Sequence, residues 1–256
     1  MIRWYQAGVW LPFFRQHAHI ETKRREPWTY DKETMDINRE ALRLRYSYLP
    51  LWYTLFREHE LSGSPVIRPI WAHYPTESES FTIDDQLLVG DAILVKPVVH
   101  ASANDVSVYF PGEGKVSWYD IETMKKYGET KRVSIPVTLH KTAVYQKEGS
   151  IVPRKMRIRR STVAMKNDPY TLIVIADKEG KAEGTLYIDD ETSFEYRHGK
   201  YIYLRFEFEN KRLTSNLLQK LAMYETKSWL EKVEIVNPPQ GVTKAIIHSK
   251  GIIVIN

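Results

Sequence analysis

Met35, Leu42, Leu49 and Phe56 recur every seven residues, with Tyr46 and Tyr53 between them, so residues 31–61 carry one apolar face at helical period. Asp31 is placed to cap this helix and Gly63 to stop it. Pro50 lies inside the pattern, where its missing N–H and its ring predict a kink or a split into two helices. Before this segment, "RWYQAG" (residues 3–8) reads as the end of a helix whose beginning is absent. After it, "SPVIRPIWAHYP" reads as a short strand, and "FTIDDQLLVG" (81–90) as one or two helical turns ending at Gly90. Residues 1–91 therefore follow the alternating rhythm of an α/β sheet or barrel entered partway through.

From Ala92 the pattern changes to short β-type runs at intervals near ten residues, among them "AILVKPVV", "DVSVYFP", "YTLIVIAD", "YIYLRFEFE", "VEIVN", "KAIIHS" and "GIIVIN". Gly, Pro, Asp and Asn punctuate them, which predicts β-sandwiches. "RKMRIRR" (154–160) alternates basic residues with Met156 and Ile158, the period of a half-buried strand, and "MKNDP" (165–169) reads as a seam between two sandwiches. The expected organisation is α/β plus all-β: residues 1–91 in the α/β part, then antiparallel sandwiches at 92–165 and 166–256.

Composition narrows the function classes. Hydrophobic residues make up 43% of the 256-residue chain, enough for a sizeable core. No apolar run approaches the roughly 18 residues of a membrane span, and residues 1–10 lack the layout of a secretory leader. There is no cysteine, hence no disulfide or thiolate metal site. The net charge of +5 sits in "KRR" (23–25) and "RKMRIRR", runs that read as solvated faces rather than a nucleic-acid footprint. The 16 Tyr, 7 Trp and 8 Phe suit large β domains and also sugar stacking.

"PFFRQHAHIETKRREPW" (12–28) carries the candidate chemistry. In an extended segment His17, His19 and Glu21 would share one side, which keeps a metal site open beside a polar loop. Without a fourth ligand the set falls short of a zinc centre. Arg24, Arg25 and Glu26 read as salt bridges pinning the loop to the following helix. Asp84 and Asp85 read as caps at a helix start. Asp189 and Asp190 in "YIDDETSFEY" read as a hairpin turn, since the spacing of a calcium loop is missing.

In chain order, "RWYQAGVWLPFFRQHAHIETKRREPW", "LRLRYSYLPLWYTLF", "SPVIRPIW", "DDQLLVGDAILVKPV", "VSIPVTL", "VYQKEGSIVPRK" and "LYIDDETSFEY" resemble glycoside hydrolase family 31, and within it the neutral α-glucosidase group. The resemblance covers essentially the whole chain. It implies the last turns of a (β/α)8 barrel at 1–91, then proximal and distal C-terminal β-sandwiches. It also implies retaining hydrolysis of α-linked glucose by an Asp nucleophile and an Asp acid/base, with no cofactor and no metal. Neither aspartate motif is found, so the chain resembles a C-terminal portion expected to be inactive alone.

His17 matches the family histidine that hydrogen-bonds the bound glucose, and Phe14 and Arg15 are expected to shape its loop. The implied partners are an α-glucoside or glucosylated N-glycan and a non-catalytic β subunit, in the endoplasmic-reticulum lumen, with no nucleic acid and no membrane. The chain itself carries no targeting signal and no N-x-S/T acceptor. The other reading is a non-catalytic carbohydrate-binding or subunit-assembly module.

Overall fold

The computed structural model describes residues 1–219 and 224–236. The chain divides into two compact units, residues 1–45 with 67–145, and residues 46–66 with 146–256. The runs "KAIIHS" and "GIIVIN" lie outside the described residues.

In the first unit, α1 (Ile2–Gly8) leads into a long loop and then α2 (Lys32–Ser47), whose last two residues belong to the second unit. Asp31 caps α2 as its position predicts: Oδ1 accepts from the Thr34 N–H at 2.8 Å. Eight strands follow: β1 (Ile67–Arg68), β2 (Leu87–Val89), β3 (Ile93–Lys96), β4 (Asp105–Tyr109), β5 (Trp118–Asp120), β6 (Lys126–Tyr127), β7 (Arg132–Pro136) and β8 (Ala143–Lys147). They form a sheet of order β1-β2-β3-β8-β5-β6 and a separate β4–β7 ladder.

Leu88, Leu94, Val108, Phe110, Trp118, Ile135 and Tyr145 fill the core of this unit. Phe110 stacks on Tyr127 at 5.3 Å and meets Tyr145 edge-on at 4.8 Å. Gln86 pairs with the Tyr109 backbone through both ends of its amide, at 3.0 and 2.7 Å, and so satisfies a buried N–H and C=O.

Two expectations fail here. Residues 87–89 are strand β2, paired with β3, rather than a helical turn. Leu88 and Val89 are both fully buried, opposite Leu94 and Ile93 in the antiparallel ladder, so the strand is covered on both faces. No helix begins at Asp84 or Asp85; Asp85 instead forms an ion pair with Lys96.

In the second unit, α3 (Leu49–Ser62) follows α2 after a break at Tyr48, with Pro50 in its first turn. Proline is tolerated there because that N–H has no intrahelical acceptor. Gly63 ends α3 in the left-handed conformation, φ +75°, and its N–H bonds the His59 carbonyl at 2.7 Å. Strands β9 (Ser150–Arg154), β10 (Tyr170–Ile175), β11 (Ala182–Ile188), β12 (Ile202–Glu209), β13 (Arg212–Leu217) and β14 (Leu230–Val236) make one sheet, in the order β13-β12-β11-β9-β10-β14.

This sheet is mixed rather than antiparallel, since β10–β14 and β9–β11 run parallel. Across the 165–169 stretch, β9 ladders directly onto β10 from Thr171↔Arg154 to Ile175↔Ser150. Ile202, Leu204, Phe206 and Phe208 of β12 point into the core, with Leu172, Val174 and Leu186 from its neighbours. α3 packs on β9 and β11. Thr54 Oγ1 donates to the Pro50 carbonyl and accepts from the Tyr187 N–H at 3.0 Å, which docks the helix on β11.

The expected strand at 154–160 ends at Arg154, and Met156 and Ile158 stand exposed. The basic residues are the anchored ones. Arg157 pairs with Glu231, Arg159 makes a two-point bridge to Asp168, and Lys155 Nζ donates to the Met165 and Lys166 carbonyls at 3.0 and 2.7 Å. Lys155 also sits 4.7 Å over the Tyr170 ring. A short helix, α4 (Thr162–Met165), supplies one of those carbonyls. Of this run only Arg154 and Lys155 are buried; Arg157 and Arg159 make their ion pairs at the surface.

Burial lowers the Lys155 ammonium from 10.5 to about 8, against the opposing pull of Glu191 and Asp168. Between those values the unfolded chain holds one more proton than the folded chain, so this residue makes stability rise with pH. Urea unfolding at about pH 7.5 and about pH 9.5 should show wild type gaining about 1–2 kcal/mol relative to Lys155→Met. An unchanged difference between the two proteins would refute the assignment.

Candidate substrate-contact site

The loop between α1 and α2 is irregular for most of its length, with one 3-10 turn at Pro27–Thr29, so its shape depends on side chains. Arg45, in the last turn of α2, supplies the main anchor. Its Nη1 donates to the Val9 and Leu11 carbonyls at 2.8 and 2.7 Å, and its Nη2 to the Pro12 carbonyl at 2.9 Å. The three acceptors lie just past the end of α1, where backbone carbonyls run out of helical partners. A planar fork of N–H donors satisfies them together.

The same guanidinium sits 5.3 Å over the Phe14 ring, which packs edge-on against Tyr5 at 5.7 Å. Gly8 makes room for that ring: a Cβ there would stand 2.8 Å from Phe14 Cε2. Two further ties close the loop. Gln16 accepts from the Tyr5 hydroxyl and donates to the Arg25 carbonyl. Arg25 donates to the His17 carbonyl, while Arg24 pairs with Glu26 at 3.2 Å. The basic cluster thus closes the loop on itself, where the sequence suggested bridges to the following helix.

His17 is exposed in this pinned segment, and its Nδ1 lies 3.1 Å from Arg15 Nη2. A guanidinium only donates, so Nδ1 is the acceptor and Nε2 carries the proton. His17 therefore presents an Nε2–H, suited to donating to a hydroxyl oxygen. His19 turns to other business: its Nδ1 accepts from the Glu21 N–H at 3.3 Å, and the Glu21 carboxylate lies 4.0 Å away. Among the described residues no three His, Cys, Asp or Glu side chains gather as a metal site. Nor is any described helix long and apolar enough to cross a membrane.

Phe14, Arg15 and His17 thus share one loop, as the sequence suggested. Arg45, Gln16, Tyr5 and Gly8, which hold it, were missed. Only the exact fit of "FFRQH" behind a helix end hinted that something must tie it down.

The carboxylate pairs are occupied elsewhere. Asp189 is buried and accepts from the Tyr53 hydroxyl (2.7 Å), the Tyr187 hydroxyl (2.9 Å) and the Glu191 N–H (2.8 Å). Burial, and then these bonds, push both tyrosine hydroxyls above their ordinary range. Asp190 falls to about 2, held by the Ser193 hydroxyl and the Ser193 and Thr192 N–H groups. Both lie in the β11–β12 connection, where they shape a turn.

The comparisons agree with this architecture. The glycosyl hydrolases family 31 TIM-barrel domain matches residues 1–55, and the glycosyl hydrolase family 31 C-terminal domain matches residues 63–152. The chain is 44% identical over 252 residues to neutral alpha-glucosidase AB of Sus scrofa, covering 98% of this chain and 26% of that protein. A glucosidase II alpha subunit bound to Glc1Man2 superposes with a TM-score of 0.89 at 37% identity, over 93% of this chain and 27% of that one. The catalytic subunit of an ER glucosidase II heterodimer, solved with the binding domain of its regulatory subunit, also gives 0.89 at 38%, over 94% and 27%. The chain belongs to glycoside hydrolase family 31. It spans about a quarter of the length of these relatives.

Two measurements test the loop. Arg45→Met keeps the aliphatic stem and removes three charge-assisted bonds; the free energy of unfolding should fall by about 2–4 kcal/mol relative to wild type, with faster amide exchange in residues 9–20. Exchange as slow as wild type would show that the clamp is dispensable. In 15N spectra of neutral protein, the His17 ring should be the Nε2–H tautomer in wild type and a mixture in Arg15→Met.

Proposed function

We propose that this chain supplies His17 to the glucose-binding end of a retaining α-glucosidase site, in a glucosidase II-like protein that removes terminal α-linked glucose, including glucose on N-glycans. The reaction class needs two carboxylates about 5–5.5 Å apart across the scissile bond, and no cofactor. We assign both aspartates to residues outside these 256, so the chain alone binds and positions but does not hydrolyse. In this reading residues 1–91 belong to the end of the (β/α)8 barrel and the strands beyond them to its C-terminal sandwiches. The endoplasmic-reticulum lumen and a non-catalytic regulatory subunit follow from the glucosidase II likeness.

The observation that carries the reading is the pinned loop that leaves His17 exposed, with Nδ1 engaged by Arg15. A loop fixed at its base and open at one imidazole is suited to orienting a sugar hydroxyl without reorganising. The engaged state of Asp189 and Asp190 supports the second half, since both carboxylates are held by hydroxyl groups of the turn and its neighbours.

The purified chain should release no nitrophenol from p-nitrophenyl α-glucoside; release that disappears in His17→Ala would overturn the claim of inactivity. Replacing the matching 252 residues of the pig neutral alpha-glucosidase AB with this chain should give an active chimaera. There His17→Ala should lower kcat/KM by about 10²-fold with little change in Tm. Unchanged kinetics in that variant would remove His17 from the site.

A further inference from the structure

We propose that the bend joining β7 to β8 is a latch that sets where His17 stands, with Gln6 and Arg3 of α1 as its positioning residues. The functional part rests on the reading of His17 as a sugar contact; the latch itself rests on hydrogen bonds. α1 makes two sets of contacts. Tyr5 and Gly8, three residues apart, serve the loop: Tyr5 bonds Gln16 and packs on Phe14, and Gly8 leaves room for that ring. Arg3 and Gln6, also three apart, serve the bend. Gln6 Nε2 donates to the Leu139 carbonyl at 2.6 Å, and Arg3 Nη1 donates to the Thr138 carbonyl at 2.8 Å. Gln6 is buried, and its Oε1 accepts from Arg3 at 3.3 Å, so both ends of the amide are used.

The bend is closed on itself and held at both ends. The Lys141 N–H donates to the Thr138 carbonyl and to the Thr138 hydroxyl, each at 3.2 Å, and the His140 N–H reaches the same hydroxyl at 3.2 Å. Before it, the Val137 N–H bonds the Asn104 carbonyl at 2.9 Å. After it, Lys141 Nζ lies 3.4 Å from a carboxylate oxygen of Asp120, which is buried at the end of β5. His140 Nε2 lies 3.4 Å from the Glu33 carboxylate in the first turn of α2. One bend therefore meets both helices that flank the His17 loop.

Arg45 ties the chain just past α1 to α2, but it does not grip α1 itself. That helix has seven residues, too few to hold its course by its own hydrogen bonds. What it docks on decides where its far face lies, and that face carries Tyr5 and Gly8. The Gln6 and Arg3 contacts span 133 and 135 residues of sequence, so strands far downstream take part in placing the loop. A contact to a reacting sugar tolerates little displacement, because its value depends on being in place before the reaction. Loosening the bend should therefore act on the sugar through His17.

Three variants test the latch. Gln6→Met keeps the volume and removes both amide bonds, Thr138→Val removes the hydroxyl that closes the bend, and Thr138→Ser keeps that hydroxyl. In the purified chain, 15N relaxation should show lower backbone order at Arg15 and His17 in Gln6→Met and in Thr138→Val, and wild-type order in Thr138→Ser. Order at Leu88 and Leu94 should stay the same in all three, which separates a loosened loop from unfolding. In the chimaera described above, Thr138→Val should lower kcat/KM about three- to tenfold, Thr138→Ser should match wild type, and Thr138→Val should add nothing to the loss in His17→Ala. Wild-type loop order in both Gln6→Met and Thr138→Val, or an equal further loss in the His17→Ala background, would overturn the latch. A loosened loop beside unchanged kinetics in His17→Ala would support the latch and refute only the sugar-contact reading.

Discussion

Arg45 sets the conditions for everything the first unit can do. The last carbonyls of α1 take the N–H groups of Val9, Trp10 and Leu11, but the carbonyls just past the helix must find donors, and the loop that follows has no ladder of its own to supply them. One guanidinium on α2 answers three carbonyls and covers the Phe14 ring. The loop then needs only Gln16, Arg25 and the space left by Gly8 to fix its course. The position of His17 is a consequence of those contacts rather than of any local preference of "RQHAH".

The second unit answers the same demand in a different way. Its irregular stretches are held by buried polar side chains. Arg154 reaches the Ser47 hydroxyl at 2.7 Å and lies 4.3 Å over Tyr48, which ties the helix break to β9. Asp189 collects two tyrosine hydroxyls and a backbone N–H at the start of a long strand connection. Arg57 of α3 lies over the rings of Tyr187, Tyr196 and Tyr201, so the same connection is fastened to the helix as well. Each of these groups would be costly to bury alone, and the contacts named here offset part of that cost.

Local chemistry was legible wherever it acted over a few residues. The seven-residue spacing, Asp31 and Gly63 foretold the helical stretch with its observed start and stop, and Pro50 a kink or a split, of which the structure takes the split, at Tyr48. The short β runs were read as strands for the same reason, and the Asp189–Asp190 turn followed from its residue types. Strand partnership was not legible. Nothing in "SIVPR" says that it ladders onto "YTLIVI" in the second sheet, or that two of that sheet's pairings run parallel. Alternation at residues 154–160 misled because two patterns were available, and the charged set found carbonyls and carboxylates to bind.

By itself the sequence determined the family, the helical stretch before Gly63 and the β-rich remainder, and it singled out His17 as a candidate, because residue order, period and capping are properties of neighbours along the chain. The tertiary structure decided which strands share a sheet, which carboxylates are occupied, how His17 is oriented, and that the bend between β7 and β8 meets α1. Those outcomes depend on which donors and acceptors meet across gaps of tens of residues, and on which side chains the core has room to take. Spacing along the chain does not encode that competition; only the folded arrangement resolves it.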